Sequence, residues 1–330
     1  MHISVLVLDG VFDSGLASVL DVFETANELR GELPQPPPPW QVTCVSPVDG
    51  PNQSGGGSVR TAAGHAVAVR RPAEADPPEL LIVPGVAHKQ PAPLVHWLDA
   101  PERNAARELL ARTHADGVPL AAACTGTFLL ADAGVLNGLA ATTSWWLAPL
   151  FRQRYPQVAL DEERMLTRAA GITTAGAAMA HLDLALALVR DRSPVLADLA
   201  ARYLVVDSRP TQASYAIPEH LARTDPTVAA FERWVREHLD QPLRIADAAR
   251  ALATSERTLQ RALDRVLGIS PLRFAQRIRL EQAAHLLRTT SLPTEAIARR
   301  VGYENASTLT TLLRERLGTT PGRLRRETGL

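Results

Sequence analysis

Only two of the 330 residues are cysteine, Cys44 and Cys124. Two thiols cannot build a disulfide framework, and no C-x-x-C spacing is present to hold zinc, so neither a metal nor a cofactor is expected. Long hydrophobic runs are missing as well: no stretch approaches the roughly 18 apolar residues of a membrane span. The opening Met1-His-Ile-Ser-Val-Leu-Val-Leu-Asp9 has no basic start, and Asp9 and Asp13 cut its apolar run short of signal-peptide length. It reads as a buried first strand. The expected setting is a reducing cytoplasm with no membrane partner. Lysine is nearly absent, Lys89 being the one exception among 35 basic residues, and genome composition accounts for that bias well enough that it carries no functional weight.

Net charge is absent too, with 35 basic against 35 acidic side chains. Spread evenly, that balance would argue against nucleic acid. The spread is not even. Residues 1–227 hold 17 basic and 24 acidic side chains, whereas residues 228–330 hold 18 and 11, so a C-terminal segment of net +7 is masked by an acidic remainder. A hydrophobic fraction of 46% and a charged fraction of 21% are those of an ordinary globular chain, long enough for two domains.

The first two-thirds alternates short apolar runs with helical patterns, which predicts an α/β domain with a flavodoxin-like parallel sheet and helices on both faces. Strands are expected at 3–8, 41–46, 80–83 and 118–123, and helices at 15–29, 102–114, 127–133, 145–155 and 177–189. Proline and glycine mark 34–39 and 49–58 as loops, and 207–226, with Pro210, Pro218 and Pro226, as a stiff connection. The expected division is a sensor and dimerisation domain over 1–190, a connecting segment over 191–227 and an all-α domain with two helix-turn-helix motifs over 228–330.

The last hundred residues repeat one pattern. A small apolar helix, a tight turn and a helix opened by Ser or Thr occur over 245–271 and again over 294–321, and both copies end in Leu-Gly-x-Ser/Thr-Pro. Two helix-turn-helix units in tandem suit two successive major grooves of double-stranded DNA. In the first, Leu259, Leu263 and Val266 share an inward face, with Arg257, Arg261 and Asp264 outward and Thr258, Gln260 and Arg265 beside them. In the second, Leu309, Leu312 and Leu313 point inward, with Ser307, Thr311 and Arg314 outward and Thr308 and Thr310 beside them. Phe274, Ile278, Ala283 and Leu286 fit one helix between the two readers. Arg suits guanine, Gln and Asn suit adenine, and Ser and Thr serve phosphates or base edges. The candidate DNA-binding residues are therefore Ser255, Arg257, Thr258, Gln260, Arg261, Arg265, Asn305, Ser307, Thr308, Thr311 and Arg314. A solvated polar face is the bland alternative, and duplication with matched turns and basic charge weighs against it.

Residues 228–330 resemble an AraC-type DNA-binding domain through Thr254-Ser-Glu-Arg-Thr-Leu-Gln-Arg261, Arg277-Ile-Arg-Leu-Glu-Gln-Ala-Ala-His-Leu-Leu287 and Ile297-Ala-Arg-Arg-Val-Gly-Tyr-Glu-Asn-Ala-Ser307. Leu309 and Leu313 stand where that family commonly has aromatics. Upstream, Val118-Pro-Leu-Ala-Ala-Ala-Cys124-Thr-Gly-Thr-Phe-Leu-Leu130 reads as a strand turning sharply at Cys124 into a helix, a nucleophile elbow in which helix-start amides can lower a thiol pKa. With Val83-Pro-Gly85 and Asp13, it resembles the ThiJ/PfpI, class I glutamine-amidotransferase-like fold. The run 124–138, Ala141-Thr-Thr-Ser-Trp145 and Thr174-Ala-Gly-Ala-Ala-Met-Ala-His-Leu-Asp183 are similar to GlxA-type transcriptional regulators.

The resemblance implies a His directly after the cysteine and a Glu on the first helix, but this chain has Thr125 and Gly15. Ser144 stands where the GlxA-type pattern often has His. His181, with Asp183 two residues on, is the remaining base and orienter, so no catalytic residue is assigned. The expected ligand pocket, at the carboxyl ends of the strands, is lined by Asp13, Gly85, Cys124, Thr125, Ser144, Trp145 and His181. The resulting expectation is a DNA-binding transcriptional regulator, a homodimer controlled by a small molecule or thiol modification, with RNA polymerase as a further partner. The alternatives are a Cys-dependent amidase, glyoxalase or deglycase-like enzyme fused to DNA-binding helices, and a constitutive DNA-binding protein whose sensor fold binds nothing.

Overall fold

The computed structural model describes residues 1–47, 57–207, 209, 211–212 and 225–326. It divides into two units, Met1–Gln212 and Ala213–Leu330. Most of the expected loop 49–58 and connection 207–226 lies outside the described residues.

In the first unit the strands are β1 (His2–Leu6), β2 (Gln41–Val45), β3 (Gly57–Arg60), β4 (Ala66–Val69), β5 (Leu80–Val83), β6 (Leu120–Ala123), β7 (Ala140–Ala141), β8 (Ala159–Leu160), β9 (Leu166–Ala169) and β10 (Ile172–Ala175). The main sheet runs β2-β1-β5-β6-β10-β9, parallel except for β9, which pairs antiparallel with β10. Taken in chain order, its parallel strands have the 2-1-3-4-5 arrangement of a flavodoxin-like fold. The helices are α1 (Asp13–Leu29), α2 (Pro91–Asp99), α3 (Asn104–Ala115), α4 (Gly126–Asp132), α5 (Ala148–Arg154), α6 (Ala180–Arg192) and α7 (Pro194–Tyr203).

Strand alternation explains how both faces come to be covered. Ile3, Val5 and Val7 enter one core with Val19, Phe23 and Leu184, while Leu6 and Leu8 enter the other with Leu94, Leu110 and Phe128. Three elements differ from the sequence expectation. Helix α2 has no counterpart among the expected helices; its Pro91 and Pro93 sit in the first turn, where proline loses no intrahelical bond. Strands β9 and β10 form a hairpin turning at Ala170 and Gly171, both at positive φ. Helix α7 was expected to be connecting chain, yet Leu196, Ala197 and Ala200 are buried in the first core, so the compact unit runs to Gln212 rather than 190.

The second unit comprises α8 (Pro226–Glu237), α9 (Ile245–Ala251), α10 (Glu256–Leu267), α11 (Pro271–Thr289), α12 (Thr294–Arg300), α13 (Ala306–Leu317) and α14 (Pro321–Arg326). Helices α9 and α10 form one helix-turn-helix, α12 and α13 the other, and the single helix α11 joins them. Its inward stripe includes Phe274, Ile278, Ala283 and Leu287; Leu286 is half-buried rather than facing in.

Candidate cysteine site and nucleic-acid interface

Strand β6 delivers Cys124 to the sheet's carboxyl edge, and the chain turns there into α4. Cys124 has φ 57°, the left-handed region that non-glycine residues avoid, so the elbow expected from the sequence is present and strained. The turn is tight because Gly126 passes under β5: a Cβ at 126 would lie 2.3 Å from the Val83 carbonyl oxygen.

Around the thiol, Gly85, Cys124, Thr125, Ser144 and His181 come together. Cys124 Sγ lies 2.9 Å from Ser144 Oγ. The Thr143 hydroxyl donates to the Cys124 carbonyl at 2.7 Å. Thr125 Oγ1 donates to the Val86 carbonyl and accepts from its amide, at 2.8 and 2.7 Å, which ties the loop after β5 to the elbow. Trp145 follows Ser144 and is buried, edge to face with Trp146. Asp13 is not part of this cluster. Its carboxylate accepts from the Ala63 amide at 2.9 Å and pairs with His65 at 2.8 Å, so it fastens the β3–β4 turn. A hydrogen bond from the Thr61 side chain is the largest cause holding its pKa down at about 2.

The electrostatics run against a nucleophile. Cys124 is 4% exposed, and burial pushes its thiol up, outweighing hydrogen bonds from Ser144 and Thr125. The lowering expected from helix-start amides is therefore not the dominant effect. His181 is fully buried; its Nε2 accepts from the Gly85 amide at 2.9 Å, and Nδ1 donates to the Ala178 carbonyl at 2.5 Å. Those partners fix a neutral tautomer, and burial lowers its pKa to about 4. The expected His181–Asp183 pairing is not formed: Asp183 pairs with Arg209. Gly15 now has a structural reason. A Cβ there would lie 2.8 Å from His181 Cε1 and Nε2, so the imidazole occupies the space that a Glu side chain would need.

Two cavities bear on a ligand. One of about 10 Å³, roughly one water, is lined by Thr125 and Trp97 but not Cys124. Another of about 170 Å³ lies apart from the elbow, between β9, α6 and α7. Among the described residues no group of three His, Cys, Asp or Glu side chains could hold a metal, and no helix is long and apolar enough to cross a membrane.

In the helical unit Leu259, Leu263, Val266, Leu309 and Leu313 are buried, while Leu312 is half-buried. Arg257, Thr258, Gln260, Arg261, Ser307, Thr308, Thr311 and Arg314 are exposed on the opposite faces. Three of the candidate readers also have local work. Ser255 caps α10, its Oγ accepting from the Thr258 amide at 3.0 Å. Asn305 caps α13, its Oδ1 accepting from the Thr308 amide at 2.9 Å and from the Ser307 and Thr308 hydroxyls. Arg265 pairs with Asp225, the cap of α8. Both reader helices end at a glycine in the left-handed region, Gly268 at φ 63° and Gly318 at φ 62°.

Sequence reasoning passed over Arg279. It projects from α11 to the Gln241 and Gly302 carbonyls and lies 5.9 Å from the centre of the Tyr303 ring. The sequence signals it only as an arginine adjoining the apolar stripe at Ile278, and its burial is a result of the packing.

A flavodoxin-like sheet carrying a cysteine elbow, followed by a helical unit with two helix-turn-helix motifs, defines the class. The chain belongs to the DJ-1/PfpI family, whose model matches residues 1–191; a helix-turn-helix domain model matches residues 248–327. It is 28% identical over 232 residues to the HTH-type transcriptional regulator CdhR of Pseudomonas aeruginosa, covering 69% of this chain and 65% of that one. It is 26% identical over 321 residues to the HTH-type transcriptional regulator GlxA of Rhizobium meliloti, covering 95% and 92%. A solved ThiJ/PfpI family protein from Pseudomonas syringae shares the fold at 21% identity, with a TM-score of 0.50 over 76% of this chain and 90% of that one.

Proposed function

We propose that the protein is a sequence-specific DNA-binding transcriptional regulator. Its AraC-type unit, taken as residues 228–330, reads DNA, and its DJ-1/PfpI unit acts as sensor and dimerisation domain. The observation that carries this reading is the pair of helix-turn-helix motifs with matched caps and glycine stops, each holding an exposed polar face opposite a buried leucine stripe. The net +7 over residues 228–330 and the names of the relatives support it. The working form is a cytoplasmic homodimer that responds to a small effector and contacts RNA polymerase when bound. The N-terminal unit is catalytically silent, since its thiol is buried and the His181 imidazole in its cluster has both nitrogens occupied.

The test is replacement of Arg257 and Arg261 by Ala. Each bidentate base contact is worth about 1–3 kcal/mol, so specific retention should fall about tenfold or more per residue, with loss of sequence preference in genomic footprints. Unchanged specific binding at moderate salt overturns the assignment of α10. The strained backbone at Cys124 favours the second reading, a Cys-dependent hydrolase. Turnover of an amide or glyoxal substrate, abolished by Cys124→Ala, would establish it.

A further inference from the structure

The cavity of about 170 Å³ lies wholly within the first unit and away from the elbow. It is comparable to the roughly 150 Å³ engineered cavity known to hold benzene, so it suits a small metabolite. Its inner walls are apolar: Met165, Leu166, Leu186, Ala201 and Val206. Charge of both signs stands around them. Asp183, Leu186 and Arg190 share one face of α6, and Asp207 and Arg209 come from the chain after α7. Arg190 has Asp198 as ion-pair partner at 2.8 Å, but both side chains are about half exposed, so a ligand carboxylate can compete for the guanidinium. Asp207 is exposed, and Asp183 is nearly buried with Arg209 beside it. An aliphatic body with one carboxylate and one ammonium matches this lining; a neutral hydrocarbon would leave the charged rim unused.

The cavity's roof is also the way out of the unit. Val206, Asp207 and Arg209 line it on that side, and Thr211 and Gln212 are pinned just beyond. The Thr211 hydroxyl donates to the Glu163 carbonyl at 2.5 Å, the Gln212 amide donates to the same oxygen at 3.0 Å, and Gln212 Nε2 donates to the Thr143 carbonyl at 2.8 Å. Glu163 is two residues before Met165, which forms the cavity wall. On the other side of the roof, Val205 is 90% exposed with φ 55°, a strained conformation for a β-branched residue. The roof is thus held between a strained joint and a pin resting on its own wall.

We propose that this cavity, not the cysteine elbow, is the effector site, that its ligand is a small zwitterion with an aliphatic body, and that occupancy is read through Val206, Asp207 and Arg209. The regulatory consequence rests on the DNA-binding reading above; the binding site does not.

The experiment uses the full chain and three probes with one carbon skeleton: norleucine, hexanoate and hexylamine, titrated calorimetrically. Norleucine should bind saturably, with hexanoate and hexylamine about tenfold weaker or more. Ala201→Phe, which fills the cavity, should abolish binding, and the exposed Asp207→Asn should weaken it about tenfold without altering folding. Absence of saturable norleucine binding, or binding indifferent to both substitutions, overturns the site. Equal binding of all three probes overturns the ligand class. If norleucine binds as expected but leaves the affinity of a retained genomic fragment unchanged, the site stands and the effector role falls. Binding to the cavity by a chain that retains no DNA would instead sink the regulator reading alone.

Discussion

At the scale of single residues, the cysteine site is a satisfied core cluster built on a nucleophile's backbone. His181 decides its character, because an imidazole with both nitrogens engaged by backbone and fully buried stays neutral. That has a pH consequence. Its pKa falls from 6.5 to about 4 in the folded chain, so the unfolded chain binds the extra proton between those values. The stability from a neutral His181 is full above about pH 6.5 and is lost as pH falls towards 4, on the order of 3 kcal/mol. Urea unfolding of the first unit followed by tryptophan fluorescence should show this slope, and His181→Gln should flatten it. An unchanged slope in that variant would place the pH dependence elsewhere. The elbow itself was legible from Cys124 and the residues around it, because strand, sharp turn and helix are local. The company it keeps was not: Gly85 and His181 are 96 residues apart, and nothing near Gly15 in the chain announces that an imidazole fills its space.

At the scale of elements, the two helix-turn-helix motifs are alike in sequence and unlike in constraint. The turn of the first places Ala253 at φ 50°, where the second has Gly302 at φ 80°. A Cβ at Gly302 would lie 2.3 Å from the Leu239 carbonyl oxygen and 2.7 Å from the Arg279 guanidinium, whereas left-handed Ala253 bears only local strain. Gly302→Ala should therefore cost about 2 kcal/mol or more, from overlap and strain together, and Ala253→Gly should be neutral or stabilising by about 1 kcal/mol. Chemical denaturation of the two variants checks the contrast, and equal effects would refute it. The stricter half-site is expected under α10, which carries Arg257, Gln260 and Arg261, while α13 offers shorter side chains beside its cap. Helical phase in the sequence located both inner stripes because a 3.6-residue period is strong over twelve residues. It missed α2 and α7, where prolines at the first turn resemble breakers, and β9–β10, which are only four residues long each.

At the scale of the molecule, charge and core are partitioned. The first unit holds two apolar cores on the two faces of its sheet, and the second has its own around α11, α12 and α13. Two calorimetric transitions are expected from the full chain, and a retained DNA fragment should raise only the one belonging to residues 213–330. A single cooperative transition, or both rising together, would show the units to be energetically coupled.

The class of this protein was already written in local pattern: a parallel α/β sheet with a cysteine elbow, then a basic pair of helix-turn-helix motifs. Those features depend on periodicity, turn chemistry and charge within short windows, where side-chain pattern and backbone geometry are directly linked. Long-range packing is what buries the thiol against Ser144, gives Asp183 to Arg209 rather than His181, and sets Arg279 against one reader's turn. The cavity lined by Val206, Asp207 and Arg209 belongs with them. Each of these is set by which distant segments pack together, and packing is a property of the whole core rather than of any window along the chain.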